Sequence, residues 1–308
     1  MSDPTGPATA APSMWRQIFF GPERLRAGWR LLIFAAAITA FALVFQVAFT
    51  ALKVPVGGWS PVPFLITEAM TLAIGLGATL VVARIDRLPF SAFGLPASGA
   101  FGARFWEGSL WGLLAVATVV GAIAACGGYR ASGLALHGVA LARMTALWLA
   151  VMVLVGLAEE IVFRGYALAT LAGGLGFWPA AVLLSIHFGA IHYFNKPMEN
   201  LTDALSVGLI GLFLCFTIRR TGTLWFAIGF HFAFDFAALA LFGAPNTGNG
   251  GRPIEGHLVD GRFSGPDWLT GGVRGVEASA WIFPVLIALF ALFHFRNRVV
   301  RFPAPPLA

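Results

Sequence analysis

The chain has 308 residues, of which 58% are hydrophobic and only 11% are charged. This composition excludes an ordinary soluble domain and a disordered chain, and it indicates a polytopic membrane domain with an all-α fold. The formal net charge of +6 does not indicate nucleic-acid binding, because the arginines cluster beside apolar runs, as membrane topology requires. Cys126 and Cys215 both lie in apolar segments, so a disulfide framework is not indicated.

Apolar segments long enough to span a bilayer fill most of the chain. A tail rich in Pro, Ala, Ser and Thr at residues 1–30 precedes them, and a short tail at residues 301–308 follows. Loops at residues 127–143 and 243–275 are rich in small residues and are predicted to be connections. The sequence therefore predicts a membrane-embedded helical domain over residues 31–300. Its eight predicted spans are residues 31–52, 62–83, 107–126, 145–171, 177–194, 201–218, 224–242 and 278–295.

The basic residues predict an orientation for these eight spans. With the N-terminus in the cytoplasm, cytoplasmic segments hold twelve Arg and Lys residues and the opposite side holds seven. The positive-inside rule then predicts that both termini are cytoplasmic. Only Lys53 and Lys196 are lysines among 20 basic residues, and Ala and Gly are abundant, which indicates a GC-rich bacterial genome. We therefore expect a multi-pass protein of a bacterial cell membrane.

Three charged residues interrupt the fourth span: Glu159, Glu160 and Arg164. On insertion scales they cost about 8–10 kcal/mol together, whereas each large apolar residue returns only about 0.3–0.6 kcal/mol. They must therefore face a protein interior or a wet cavity. Glu160 and Arg164 are four residues apart, in the favourable order for an ion pair, and Glu159 is turned about 100° away. The simplest interpretation is a bracing Glu160–Arg164 pair with Glu159 free for chemistry; the alternative is a purely structural polar network.

Polar side chains also interrupt the fifth and seventh spans. His187 and His192 in the fifth span project about 140° apart, so they are poor partners for one site. His231 and Asp235 in the seventh span share one helical face among phenylalanines, where an aspartate must be paired, hydrated or protonated. Either set alone is also explained by packing.

The depth of these residues links the three spans. At about 1.5 Å per residue, Glu159 and His231 each lie about 15 Å from the cytoplasmic ends of their spans, and His192 lies about 24 Å from its own. Three polar insertions at comparable depth predict one shared cavity, and ionisable groups inside a membrane are functional candidates.

Three motifs resemble a known family when they are taken in order along the chain. The motifs are Glu159-Glu160-x-x-x-Arg164, Phe188-x-x-x-His192 and His231-x-x-x-Asp235. In this order and spacing they resemble the CPBP intramembrane proteases, which include the type II CAAX prenyl endopeptidases and the Abi-like bacteriocin-processing or immunity proteins. The resemblance covers about residues 145–240.

The resemblance implies an endopeptidase that hydrolyses peptide bonds of membrane-associated proteins or peptides. By the resemblance, Glu159 is the general base that activates water together with His192, and the bracing pair holds the geometry. His231 and Asp235 then stabilise the tetrahedral intermediate. The family accepts Asn or Asp at the position of Asp235, but an ionised Asp only accepts hydrogen bonds and repels an oxyanion. Asp235 must therefore orient His231, stay protonated or help to hold a metal.

The sequence leaves the cofactor open between a metal-free glutamate protease and a metalloprotease. Glu159, His192 and His231 are a suitable ligand set for a divalent metal such as zinc, but the chain has no His-Glu-x-x-His helix. The expected partners are membrane lipid and a peptide or protein substrate. The bacterial source makes a prenylated substrate a weaker expectation than the CAAX name of the family suggests.

Two other classes of function remain open at this point. Chains of carboxylates and histidines inside helical bundles also serve as proton relays, so a proton- or ion-coupled transporter is an alternative. The other alternative is a catalytically silent immunity or scaffold protein.

Overall fold

The computed structural model describes residues 19–21 and 25–302. Most of the predicted N-terminal tail, residues 1–18 and 22–24, lies outside the described residues. The same is true of residues 303–308 in the predicted C-terminal tail.

The described residues form ten α-helices, two π-helical turns and two short strands. The helices are α1 (Ala27–Leu52), α2 (Pro61–Asp86), α3 (Ala103–Ala125), α4 (Gly138–Glu160), α5 (Tyr166–Leu175), α6 (Phe177–Asn195), α7 (Leu201–Thr221), α8 (Trp225–Asp235), α9 (Asp267–Thr270) and α10 (Ile282–Arg296). The π-turns are Ile161–Gly165 and Phe236–Leu241, and the strands are β1 (Tyr129–Leu134) and β2 (Val259–Phe263). Short 3-10 turns occupy Phe90–Phe93, Ala97–Gly99, Thr247–Asn249, Gly272–Arg274 and Val276–Ala278.

The prediction of an all-α polytopic bundle is confirmed. Within the described residues, six helical segments are long and apolar enough to cross a membrane. One of them is the continuous 38-residue segment Gly138–Leu175, which joins α4, the first π-turn and α5. The other two predicted spans are also helical but shorter, at Trp225–Leu241 and Ile282–Arg296.

Contacts between loops that are distant in sequence mark the two ends of the bundle. At one end, which we call the sheet end, β1 pairs with β2 in antiparallel register. At the other, which we call the arginine end, Arg301 N donates to Arg219 O at 2.9 Å and Leu224 N donates to Gly94 O at 2.8 Å. The shorter segment Trp225–Leu241 therefore begins near the arginine end and runs toward the sheet end.

The small sheet corrects the prediction that residues 127–143 and 243–275 are only connections. Tyr129 of β1 is buried and packs on Phe263 of β2, with 4.6 Å between the ring centroids. The two strands have only six and five residues, so neither gives a period-two pattern long enough to stand out from a small-residue loop. The last helix begins at Ile282, four residues later than predicted, because Val276–Ala278 forms a 3-10 turn first.

Glycines bring α3 and α8 into backbone contact. A Cβ on Gly108 or Gly112 of α3 would overlap the backbone of α8, and a Cβ on Gly229 of α8 would overlap the Phe105 carbonyl of α3. Gly156 of α4 makes a similar approach, because its Cβ would lie 2.9 Å from Ile228 O. Small residues at such positions let helices pack closely where lipid supplies no hydrophobic driving force. The position of α8 is therefore fixed between α3 and α4.

The outer surface of the bundle is apolar. Large hydrophobic side chains of α1 such as Leu43, Val44 and Val47 are exposed, and only 6% of the most apolar window of this helix is buried. Apolar helices with an exposed outer face suit a lipid solvent, because all their backbone hydrogen bonds are internal.

Candidate active site

The charged stretch of the fourth span lies at the junction of α4 and the first π-turn. Glu160 is the last residue of α4 and is fully buried, whereas the Glu159 side chain is 27% exposed. Arg164 lies in the π-turn, and its Nη1 donates to Glu160 Oε1 at 2.6 Å. The two carboxylates therefore point to different surroundings, as the helical geometry predicts.

His231 of α8 lies among three carboxylates. Its Nδ1 is 2.8 Å from Glu160 Oε1, and its Nε2 is 3.4 Å from Asp235 Oδ2 and 3.7 Å from Glu159 Oε2. The Glu160 oxygen that accepts from Arg164 thus also faces His231. The structure brings the fourth and seventh spans together through this shared oxygen, which the sequence did not predict.

His192 of α6 is oriented by its own helix. Its Nδ1 lies 2.9 Å from Phe188 O, so a proton on Nδ1 is donated to this carbonyl and Nε2 remains available as an acceptor. The Phe188 ring packs against the His192 ring at 4.6 Å and lies 4.3 Å from the Arg164 guanidinium. Phe188 therefore joins the histidine to the bracing pair by packing and a cation–π contact.

These side chains surround a cavity of about 220 Å³. The volume has room for several water molecules, each of which occupies about 30 Å³ in the liquid. The polar and charged residues in its wall are Glu68, Glu159, His192, Lys196, His231, Asp235, Asn246 and Glu277. Met152, Phe188, Phe230 and Phe234 are among the apolar residues that complete the wall.

The six predicted site residues divide into two groups. Four of them line the cavity: Glu159, His192, His231 and Asp235. Glu160 and Arg164 are buried behind the wall. His187 does not line the cavity; it is exposed, and its ring contacts Phe163.

The sequence did not assign Glu68, Lys196, Asn246 and Glu277 to the site, although all four line the cavity. Glu68 gave a usable signal, because it is an ionisable residue inside an apolar span. Glu277 gave none, because an acid in a mixed-charge loop is ordinary. Burial raises the pKa of Glu277 to about 7; Lys196 opposes this rise and Asp235 adds to it.

Several buried polar atoms in this region have no hydrogen-bond partner within the described part of the chain. They are Glu159 Oε2, Glu160 Oε2 and Arg164 Nη2. The nearest histidine nitrogen to Glu159 Oε2, His231 Nε2, is 3.7 Å away, which is too far for a hydrogen bond. Glu159 Oε2 is thus buried without a hydrogen bond, while the Glu159 side chain as a whole is 27% exposed and lines the cavity.

The helices α4 and α8 each widen into a π-turn directly after the carboxylates that they carry into this region. Ile161–Gly165 follows Glu160, and Phe236–Leu241 follows Asp235. Such turns are rare and frequently occur at functional sites. They were not predicted, because apolar periodicity alone does not distinguish one wider turn from an α-helical one.

The residues proposed as metal ligands share the cavity but do not form a metal-binding group. Glu159, His192 and His231 have suitable donor atoms. However, within residues 19–21 and 25–302, no set of three His, Cys, Asp or Glu side chains is arranged to hold a metal ion.

The fold and the cavity define a multi-pass membrane protein with a polar site enclosed between its helices. Residues 141–237 match the family described as type II CAAX prenyl endopeptidase Rce1-like. Comparisons with curated proteins and with solved structures give no match. The family match confirms the resemblance to the CPBP/CAAX intramembrane proteases and supports intramembrane endopeptidase activity in general. All six predicted site residues fall inside the matched segment, whereas Glu68, Asn246 and Glu277 fall outside it.

Proposed function

We propose that this chain cleaves peptide bonds of membrane-associated proteins or peptides, with Glu159 and His192 activating a water molecule in the cavity. The observation that carries the proposal is the partly exposed Glu159 side chain, whose Oε2 makes no hydrogen bond within the described residues and which shares the cavity wall with His192 and His231. A carboxylate that accepts no other hydrogen bond can take a proton from water as the water attacks the peptide carbonyl. His192 supplies a second acceptor through Nε2, because Phe188 O holds Nδ1.

His231 is proposed to stabilise the oxyanion of the tetrahedral intermediate. Its Nδ1 faces Glu160 and its Nε2 faces Asp235, so a ring protonated on both nitrogens donates on both sides. The single Nε2–H makes only a long contact of 3.4 Å with Asp235, so it can shift from Asp235 to an oxyanion that forms in the cavity. The distance of 3.4 Å between Asp235 Oδ2 and His231 Nε2 supports a role for Asp235 in orienting the His231 ring. Of the three roles that the sequence leaves open for Asp235, this is the first.

The buried Glu160–Arg164 pair is proposed to hold this donor in place. Glu160 Oε1 contacts both Arg164 and His231, so the position of the imidazole depends on the brace. Gly211 of α7 leaves room for the guanidinium, because a Cβ there would lie 2.8 Å from Arg164 Nη2. A side chain acting through His231 in this way is a positioning residue.

The donor geometry favours the metal-free alternative for the reaction. No step above requires a metal, and the three candidate ligands do not converge as a metal-binding group within the described residues. We expect purified enzyme to retain activity after dialysis against a chelator and to contain less than one equivalent of zinc. Activity that is lost on chelation and restored by zinc would show that the ligands rearrange around a metal.

The arginine end is proposed to face the cytoplasm, with both termini on that side. The excess of basic residues at this end supports the orientation. The proposed partners are membrane lipid and a peptide or protein substrate, and the residues at the sheet end of the cavity, Lys196, Asn246 and Glu277, would contact the substrate chain.

The test is loss of cleavage in the Glu159→Gln variant. A library of fluorogenic peptides is incubated with purified protein in micelles, and products are identified by mass spectrometry. Loss of the base should lower the rate by roughly 10²–10⁴-fold, while Glu255→Gln, the same change at an exposed loop position, should leave it unchanged. His192→Ala should lower the rate and His187→Ala should not, because only His192 lines the cavity.

Undiminished activity in Glu159→Gln would overturn the assigned role. Substrate-dependent proton flux in liposomes without peptide cleavage would favour a transporter. An unchanged cellular phenotype in His192→Ala and His231→Ala would favour a silent scaffold.

A further inference from the structure

A second polar cavity lies at the arginine end, away from the proposed active site. Its volume is about 330 Å³, within the range of small-molecule sites. Five guanidinium groups and a single carboxylate line it. The residues of its wall are Arg104, Glu107, Arg220, Arg296, Asn297, Arg298, Val299 and Arg301.

The single carboxylate is already shared between two of the arginines. Glu107 accepts from Arg104 Nη1 at 2.6 Å and from Arg296 Nε at 3.0 Å. Within the described part of the chain, the guanidiniums of Arg298 and Arg301 make no hydrogen bond or ion pair. The cavity therefore has an excess of positive charge without a protein counter-charge.

Arg220 is fixed in this wall by neutral groups. It donates to the carbonyl of Arg298, and its Nη2 lies 3.0 Å from His294 Nδ1. Its Nε, together with Asn297 Nδ2, is buried and has no acceptor within the described residues. Both unpaired groups are hydrogen-bond donors, so an acceptor of negative charge satisfies them and the surrounding guanidiniums together.

The C-terminal segment is folded onto α7 rather than extended into solvent. The amides of Arg301 and Phe302 both donate to Arg219 O, at 2.9 and 3.0 Å. The Phe302 ring packs on Phe177 of α6, with 5.6 Å between the centroids. The backbone that carries the last arginines is therefore held against the ends of two helices.

Topology alone does not account for this arrangement. The positive-inside rule needs positive charge near a membrane surface, and freely hydrated arginines supply it. It needs neither a concave site shared by five arginines nor buried donors without acceptors. Exposed Trp106 precedes Glu107 in sequence, and exposed Phe295 precedes Arg296. Aromatic residues of this kind are common at the depth of lipid headgroups.

We propose that this cavity binds a phosphate group, supplied by the headgroup of an anionic phospholipid or by a soluble phosphate. The planar guanidinium fork matches two phosphate oxygens, and several forks can share one phosphate. Bound phosphate would neutralise the arginines at the meeting point of α3, α7 and α10.

The experiment compares phospholipid and inorganic phosphate as probes. Wild-type protein and the single variants Arg298→Gln and Arg301→Gln are placed in nanodiscs of phosphatidylcholine, with and without phosphatidylglycerol, and bound lipid is counted by native mass spectrometry. Neither altered guanidinium makes a bond within the described residues, so both variants should fold. Arg262→Gln, the same change on an exposed position of β2 at the sheet end, is the matched control.

Each variant at the cavity should bind phosphatidylglycerol about fivefold more weakly than wild type, since a basic residue near an anionic surface contributes about 1 kcal/mol. Arg262→Gln should bind like wild type.

In a second arm, inorganic phosphate is added to the protein in neutral micelles, and chloride at equal ionic strength is the control. A saturable rise in melting temperature with phosphate identifies a soluble ligand, and lipid retention without it identifies the headgroup. Equal binding by wild type and both cavity variants, or an equal loss in Arg262→Gln, would overturn the proposal.

Discussion

The buried brace gives the sharpest test of how the site is held. Glu160 and Arg164 are 0% and 1% exposed, and their contact is 2.6 Å. Breaking such a pair from one side leaves an uncompensated buried charge, which costs about 3–5 kcal/mol. Arg164→Met should therefore lower the free energy of unfolding by about that amount, because solvent does not screen the remaining carboxylate.

The double variant Glu160→Gln/Arg164→Met separates stability from catalysis. It removes both charges, and replacing a buried ion pair by neutral groups is often neutral for stability. Stability should return close to the wild-type value. Activity should stay low, because the amide that replaces the Glu160 carboxylate would hold His231 only by a neutral hydrogen bond, and the imidazolium would lose a carboxylate partner.

Unfolding can be followed by the native cysteines. Cys215 is fully buried and Cys126 is exposed, so a thiol-reactive dye in a Cys126→Ser background reports only on opening of the core. A shift on the order of 10 °C is expected for Arg164→Met. The reasoning is refuted if Arg164→Met melts at the wild-type temperature. It is also refuted if the double variant is as unstable as Arg164→Met.

Three further predictions follow from other parts of the structure. Folding raises the pKa of Glu277 from 4.5 to about 7, so the stabilising contribution of this residue is present below pH 4.5 and is lost as pH rises to about 7. The Glu277→Gln variant should therefore gain stability relative to wild type across that interval. Parallel profiles of melting temperature against pH for the two proteins would contradict this. Gly229→Ala should lower the free energy of unfolding by about 1–3 kcal/mol or more and should lower activity, because the new Cβ would overlap the backbone of α3. Gly121 has open space around it, so Gly121→Ala should be nearly neutral in the same unfolding assay. A membrane-impermeant maleimide should label Cys126 from outside the cell, because this residue follows α3 at the sheet end; labelling only in inside-out vesicles would reverse the proposed orientation.

The fold class was predictable because the bilayer imposes a simple rule on sequence. Long apolar runs must be helices there, and all eight predicted spans are helical in the described residues. The sheet between β1 and β2 was not predictable, because its two short strands lie more than a hundred residues apart and carry no extended alternation. The residues that line the cavity were predictable only where a polar side chain interrupts an apolar helix, as those of His192 and His231 do.

The residue counts behind the predicted common depth of Glu159 and His231 differ from the counts that the observed helix bounds give. Counted from the arginine end, His231 is six residues into α8, about 9 Å, whereas Glu159 lies sixteen residues from Leu175, about 24 Å. The two side chains nevertheless approach to 3.7 Å. They meet because α8 begins inside the protein, where Leu224 and Phe226 are fully buried. Residue counting assumes that all helices start at the same membrane surface, and a helix that begins in the core breaks that assumption.

The shared oxygen of Glu160 explains why neighbouring carboxylates in one helix can have different roles. Arg164 and His231 both contact Glu160 Oε1, so this fully buried carboxylate is held in place from two sides. Glu159 Oε2 makes no hydrogen bond within the described residues, and the partly exposed Glu159 side chain lines the cavity. The spacing in α4 predicts that the two side chains diverge, but the second contact comes from a helix about seventy residues later. The different roles proposed for Glu159 and Glu160 therefore depend on the packing of α8 against α3 and α4. This packing places the His231 ring between the Glu160–Arg164 pair and the cavity.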